Sequence, residues 1–389
     1  MKSRISHVLP RGKRVLVRVD FNVPVLGIAV HGDFRIRAHV PTIRMLLKRR
    51  NSVVLLSHHS DTKQSLRPMA KALSRMLRVP VSFVEDPFAK GIEDAKKGSV
   101  VLFENLRFWK GEEALDPAFA RSLALRGDIF LNDAFSVAHR RAASTVLLPR
   151  LLPSSLGPLF SREIEELDLL MKNPRRPLVA VFGGAKTETK LPLLKRFSRF
   201  ADSLIVGGAI ANTVLASRGI GVGASRVDTA ALRGLKQLQP SRGVILPVDA
   251  VVSNSRHTSR ARTVLLDDIR RGEAIWDVGP ASSRVYQKLI ANARTIVWNG
   301  PLGLVEESPF RESTHALVRS LLRSRAMVVI GGGDTVAFLE SMGALKKFKH
   351  ISTGGGAMLA YLGGEKLPGL EALRGSKIRS TKHEILNKL

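Results

Sequence analysis

Short apolar runs alternate with stretches of helical period along almost the whole of this 389-residue chain. No other feature of the sequence constrains the fold as strongly. In the first half Val15–Val19, Val53–Leu56, Val81–Val84, Val100–Phe103 and Ile129–Asn132 read as buried strands. Val40–Lys48, Leu66–Leu77 and Ala118–Leu125 read as the helices between them. The second half repeats the pattern, with strands near Leu178–Phe182, Ser203–Val206, Gly243–Pro247, Thr295–Trp298 and Met327–Ile330. Helices there include Ser282–Ala293 and Ser313–Arg323. Such alternation predicts an α/β fold whose parallel sheets carry helices on both faces. Ligands of such sheets sit at the carboxyl ends of the strands. Between the halves Ser161–Lys172 is acidic and helical in period, bounded by Pro158 and Pro174, and reads as a connecting helix. Arg374–Leu389 is basic and polar and reads as a tail with a short helix.

Length and content agree with two domains, since 44% hydrophobic residues supply two cores. The longest mostly apolar stretch, Leu204–Ala216, contains Asn212 and Thr213 and falls short of the roughly 20 residues that span a bilayer. The absence of cysteine excludes disulfides, thiol catalysis and cysteine-held metal. No apolar stretch precedes Arg11–Arg14, so no secretory leader is expected. The reading is a cytoplasmic protein. A net charge of +29 is spread over both halves. It favours anionic ligands or non-specific contact with nucleic acid, or it is solvated surface charge. No zinc-finger spacing, aromatic RNA-binding signature or basic–heptad array accompanies it.

Three glycine clusters lie in the second half: Gly183-Gly184-Ala185-Lys186, Gly331-Gly332-Gly333-Asp334-Thr335 and Gly354-Gly355-Gly356. Val179–Phe182 and Met327–Ile330 lead into the first two. Glycine lets backbone amides approach a ligand, and a following helix aims its positive end at an anion. Each cluster alone could be a tight strand–helix turn. Three in one half, with lysines after one and Asp-Thr after another, point to a polyphosphate site. The first half instead places polar residues after its strands, Asp20 and Asn22, His58 and His59, Arg107, and His139, Arg140 and Arg141, with Arg35 and Arg37 beginning a helix. Guanidinium groups at one end of a sheet suit a small, multiply charged anion. His58 and His139 read equally as loop hydrogen-bonders or as ligand contacts.

These residues carry a resemblance. Val15–Pro24, Glu104–Phe108, Asn132–Phe135 with Ala138–Arg140, Gly183–Lys186, Leu246–Asp249, Asp277–Pro280, Trp298–Pro301, Gly331–Thr335 and Ser352–Ala357 resemble, in order, the motifs of the phosphoglycerate kinase family. The resemblance runs nearly full length. It implies two Rossmann-like domains: 1–160 for 3-phosphoglycerate and 174–366 for the nucleotide, with 161–173 as interdomain helix and 367–389 packing back on the first domain. It implies a monomeric glycolytic phosphotransferase, with no membrane and no specific nucleic-acid partner. The reaction is Mg²⁺-dependent phosphoryl exchange between 1,3-bisphosphoglycerate with ADP and 3-phosphoglycerate with ATP. By motif, Asp20, Asn22, Arg35, His58, Arg107 and Arg140 would hold the triose. Gly183, Lys186, Lys190, Gly207, Gly208, Pro247, Asn299, Pro301, Glu306, Gly332, Gly333, Asp334 and Thr335 would line the nucleotide site. Asp334 would engage Mg²⁺, and Arg35, Lys190 and Gly333 would be catalytic. The family reaction needs no general base, because its acceptor carboxylate is already ionised; alignment and charge neutralisation suffice. Donor and acceptor would bind on different domains, which must close. A homologue retained for nucleotide or nucleic-acid binding is the other function compatible with these motifs.

The chain departs from the family pattern at Ser57–Thr62, where Asp61 replaces an arginine. Thr189 stands for an aspartate, Ala209 and Ser136 for glycines, and Ala142 for a histidine. Asp61 either caps the helix after it, outside the site, or faces the substrate.

Overall fold

A computed structural model of the chain describes residues 10–27, 29–89, 98–236, 243–257 and 260–374. The described residues form two compact units. One runs to Glu165 and resumes at Gly364; the other spans Glu166–Gly363. The boundary falls inside the helix Pro158–Lys172.

The first unit contains β1 (Arg14–Arg18), β2 (Val25–Leu26), β3 (Ala29–Val30), β4 (Ser52–Leu56), β5 (Val81–Val84), β6 (Val100–Phe103), β7 (Ile129–Asn132) and β8 (Ser154–Leu156). Six of these make one sheet in the order β5-β6-β4-β1-β7-β8, parallel throughout. Both faces are dry. Val15, Val17, Val53, Leu55, Val100 and Leu102 pack on the helices Phe34–Lys48 and Arg67–Leu77. Their alternates Leu16, Val54, Leu56, Val101 and Phe103 pack on the helix Pro117–Ala124. Two-sided burial makes these strands continuous apolar runs. Near the end of the described chain Pro368–Arg374 is helical. Leu370, Ala372 and Leu373 are buried there, and the Gly369 amide donates to the Ala138 carbonyl at 2.9 Å. The reading of a short tail helix beyond Arg374 lies outside the described residues.

The second unit contains β9 (Leu178–Phe182), β10 (Ser203–Val206), β11 (Val244–Ile245), β12 (Asp249–Ser253), β13 (Arg262–Leu265), β14 (Ala274–Val278), β15 (Thr295–Asn299), β16 (Met327–Gly331) and β17 (His350–Ile351). Its parallel sheet runs β11-β10-β9-β15-β16-β17. The chain winds outward from β9 in one direction, then returns to start at β15 on the other side. The adjacent carboxyl ends of β9 and β15 are therefore the switch point, where open α/β sheets leave a crevice. Val179, Val181, Ile296, Trp298 and Ile330 pack on the helices Pro280–Asn292 and Glu312–Arg323.

Two features differ from the sequence reading. A separate antiparallel sheet, β13-β12-β14, joins the parallel ones. The helix read over Val40–Lys48 extends back to Phe34, so that Arg35 and Arg37 lie in its first turn, and Pro41 is inside it. The apolar stretch Leu204–Ala216 is divided between β10 and the helix Gly208–Ser217 by a turn at Gly207. Among the described residues no helix is long and apolar enough to cross a membrane.

Candidate active site

In the first unit cations collect after the carboxyl ends of β1, β4, β6 and β7. Arg18 ends β1 and is 2% exposed. Its Nε donates to Ser144 Oγ at 2.9 Å, its Nη1 to the Val19 carbonyl at 2.6 Å and its Nη2 to His58 Nδ1 at 3.2 Å. A guanidinium only donates, so His58 Nδ1 accepts and its hydrogen is on Nε2. Burial, and then Arg18, Arg107 and Arg140, hold His58 well below its ordinary value, as a neutral ring. Glu112 lies 3.8 Å from Arg18 and receives the Ser144 hydroxyl at 2.5 Å. Arg107 pairs with Glu113 at 3.0 Å. Arg18, His58, Arg107, Glu112, Arg140 and Arg141 are among the residues around a cleft of about 100 Å³, room for several waters or one small anionic group.

Beside them Asp20 is buried. Burial alone would raise its carboxyl. Arg35 at 3.3 Å, a 2.5 Å hydrogen bond from Ser136 and one from the Asn22 amide outweigh that and lower it. Arg35 also donates to the Asn22 carbonyl at 2.9 Å, while Asn22 Oδ1 accepts from the Ser60 amide at 3.0 Å. The Asp20 amide donates to His39 Nε2 at 3.0 Å, so His39 Nδ1 donates to Asp133 at 2.8 Å. Asp133 in turn accepts the Leu159 amide in the first turn of the helix Pro158–Lys172.

The loop after β4 is held by the Glu104-Asn105 pair. Asn105 Oδ1 accepts from the amides of His59 and Arg107, and its Nδ2 donates to the carbonyls of Asp61 and Gln64. Glu104 receives the Leu66 amide and the Ser65 hydroxyl. Asp61 is exposed and does not cap the helix Arg67–Leu77, contrary to one of the two readings above. Among the described residues its Oδ1 reaches only the Lys63 amide, at 2.8 Å, closing a local turn; the helix start lies too far along the chain.

In the second unit the switch point is closed by backbone. The Gly183 amide donates to the Asn299 carbonyl and the Gly184 amide to the Pro301 carbonyl. A Cβ on Gly183 would lie 1.9 Å from the Pro301 oxygen, so only glycine permits this approach. Lys190 reaches into the junction from the turn before the helix Leu191–Phe200, and its Nζ donates to the Gly183 carbonyl at 2.6 Å. Burial lowers this ammonium to about 8, against the opposing pull of Asp334. Asn299 Nδ2 donates to the Gly331 carbonyl at 2.7 Å, and Thr335 Oγ1 accepts from the Gly300 amide at 2.8 Å. Gly332 precedes the helix Gly333–Ser341 at φ 108°, and no side chain caps that helix start. The helix Gly208–Ser217 likewise begins after Gly207 without a side-chain cap. The Gly208 amide is taken by the Leu302 carbonyl, but the other uncapped first-turn amides, beside a buried ammonium, can donate to phosphate oxygens. Gly208 packs against Gly184. Lys186, Gly333, Asp334 and Glu306 are exposed and Pro247 is buried. Among the described residues no hydrogen bond or ion pair ties Lys186 or Glu306 to the junction. Thr189, where the family pattern has aspartate, is exposed and donates to the Lys186 carbonyl.

Some residues that organise these sites escaped the sequence reading. Arg18 could have been found as a lone charge in an apolar strand. Glu112 could not, nor could the role of Ser136 beyond its place as a departure from the family pattern, because their partners Arg18 and Asp20 are remote in sequence.

Two doubly wound α/β units, one with an arginine-lined cleft and one with a glycine-lined switch point, define a class of phosphate-handling protein. The comparisons name it more closely. The family model described as Phosphoglycerate kinase matches residues 5–365. A phosphoglycerate kinase of Rubrobacter xylanophilus is 42% identical over 93% of this chain and 96% of its own. One of Herpetosiphon aurantiacus is 41% identical over 96% and 99%. Among solved structures, phosphoglycerate kinase from Coxiella burnetii superposes with a TM-score of 0.83 at 36% identity, covering 95% of this chain and 97% of that one. The Pyrococcus horikoshii enzyme gives 0.86 at 30% identity, over 94% and 96%. The chain belongs to the phosphoglycerate kinase family, whose members are phosphotransferases with a carboxyl group as acceptor.

Proposed function

We propose that this chain catalyses reversible, Mg²⁺-dependent phosphoryl transfer between 1,3-bisphosphoglycerate and ADP, forming 3-phosphoglycerate and ATP. The observation that carries the reading is Lys190. A buried ammonium beside a glycine-only junction has no structural need for its charge, but it meets the need of a transferring phosphoryl group. In the first unit Arg107 and Arg140 bind the triose phosphate with His58 as a neutral hydrogen-bond partner. Asp20 and Asn22 orient Arg35 toward the acceptor carboxylate. In the second, Gly207, Gly208 and Pro247 border the base, and Asn299, Pro301 and Glu306 line the nucleotide, with Glu306 on the ribose. Lys186, Gly183, Gly332 and Thr335 serve the phosphates. Arg35, Lys190 and the Gly333 amide neutralise charge that develops during transfer, the main resource of such reactions.

The donor set fits magnesium delivered with the nucleotide. Among the described residues no group of three or more His, Asp or Glu could hold a metal. Asp334 offers one exposed carboxylate at a helix start, and Mg²⁺ commonly takes one or two carboxylates with phosphate oxygens and water. When bound, it neutralises phosphate charge. A cytoplasmic monomer, with the nucleotide held by the second unit and the triose by the first, completes the reading. Arg35, Lys190 and Asp334 all remain, which favours an active enzyme over a binding-only homologue. A coupled assay with 3-phosphoglycerate, ATP and excess Mg²⁺ tests it: folded protein with no turnover above blank contradicts the proposal.

A further inference from the structure

Four guanidinium groups line the cleft of the first unit, and two are matched by carboxylates. Arg18 faces Glu112 at 3.8 Å and Arg107 faces Glu113 at 3.0 Å. Arg140 and Arg141 are exposed, and among the described residues neither has a carboxylate within ion-pair distance. The fifth basic group, His58, is buried against Arg18 as an acceptor and adds no charge. The cleft therefore presents two uncompensated positive charges, the complement of a phosphate monoester dianion. Arg141 is one of these two, yet it was not among the residues assigned to the triose.

We propose that Arg141 is a further direct anchor for the phosphate group of the triose, acting beside Arg107 and Arg140. The proposal rests on the kinase reading for the identity of the ligand. Two adjacent guanidinium groups can each give paired, charge-assisted hydrogen bonds to phosphate oxygens. Thr145 and Ala142 complete that side of the cleft and carry no charge to compete. Arg141 contributes to ground-state binding of the phosphate, remote from the transferring group, so its loss raises KM and spares kcat.

The test is calorimetric titration of 3-phosphoglycerate, and separately of inorganic phosphate, into wild type, Arg141→Ala, Arg141→Lys and Arg121→Ala, with steady-state kinetics in parallel. Arg121 is an exposed arginine outside the cleft, so its variant controls for the change in overall charge. Arg141→Ala is expected to weaken 3-phosphoglycerate at least about 10-fold and inorganic phosphate in parallel. KM for ATP, kcat at saturation and the thermal midpoint should stay near wild type. Arg141→Lys should recover part of the affinity, and Arg121→Ala should change nothing. The proposal is overturned if Arg141→Ala binds both anions within twofold of wild type, or if Arg121→Ala loses as much. Wild type without kinase turnover, combined with phosphate binding that depends on Arg141, would refute the kinase reading and leave the anchor standing.

Discussion

Lys190→Met should yield a protein that is more stable than wild type at neutral pH and nearly inactive. Lys190 is lowered from 10.5 to about 8, and at 1.36 kcal/mol per pH unit holding its charged form in the fold costs about 3 kcal/mol at pH 7. Methionine removes that cost but forfeits the hydrogen bond to the Gly183 carbonyl, worth about 1 kcal/mol net. The expected gain is about 2 kcal/mol. The sign of the pH dependence follows from proton counts. Between about 8 and 10.5 the unfolded chain holds a proton on this lysine that the folded chain has released, so wild-type stability rises with pH across that window. The methionine variant lacks this rise, and its advantage should vanish by about pH 10. Urea unfolding by fluorescence in a Trp109→Phe background reports on the second unit, which holds the remaining tryptophans Trp276 and Trp298. The same variant should lose on the order of 100-fold in kcat. A variant no more stable than wild type at pH 7, or an advantage that persists at pH 10, would refute the reasoning.

Thr335→Val leaves the buried Gly300 amide without its acceptor and should cost about 1–3 kcal/mol, with Thr335→Ser near wild type in the same denaturation assay. Asp61→Ala should alter KM for 3-phosphoglycerate less than about twofold, because this exposed carboxylate is engaged with the Lys63 amide; a several-fold drop measured by initial rates would place it in the site instead. Nucleic-acid binding, if driven by the +29 charge alone, should be non-specific and vanish at moderate salt, which a salt titration by anisotropy checks.

The central strands were readable because both faces of each parallel sheet are covered, leaving unbroken apolar runs such as Leu178–Phe182. The antiparallel strands Arg262–Leu265 and Ala274–Val278 were not. Both are only partly buried, so their pattern is weak. Pro41 lies inside the first helix, Phe34–Lys48, at a position where proline usually interrupts one. Glycine junctions were visible as clusters, whereas what they touch was not: Gly183 meets Pro301 and Gly332 meets Asn299 only in the folded unit. The Ser136 departure is informative in this respect. Its hydroxyl donates to Asp20, 116 residues earlier, a pairing that local spacing could not disclose.

The return of Pro368–Arg374 to the first unit has a consequence for biosynthesis. The amide that meets the Ala138 carbonyl belongs to Gly369, which is made only after the whole second unit. At about 5–20 residues per second, the intervening 166–363 segment takes roughly 10–40 s to emerge. Through that interval the nascent first unit lacks the buried Leu370 and Leu373 and exposes the apolar surface they later cover. The unit that begins the chain is thus the last to be completed, and a ribosome stalled late in the message leaves a finished second unit attached to an unfinished first.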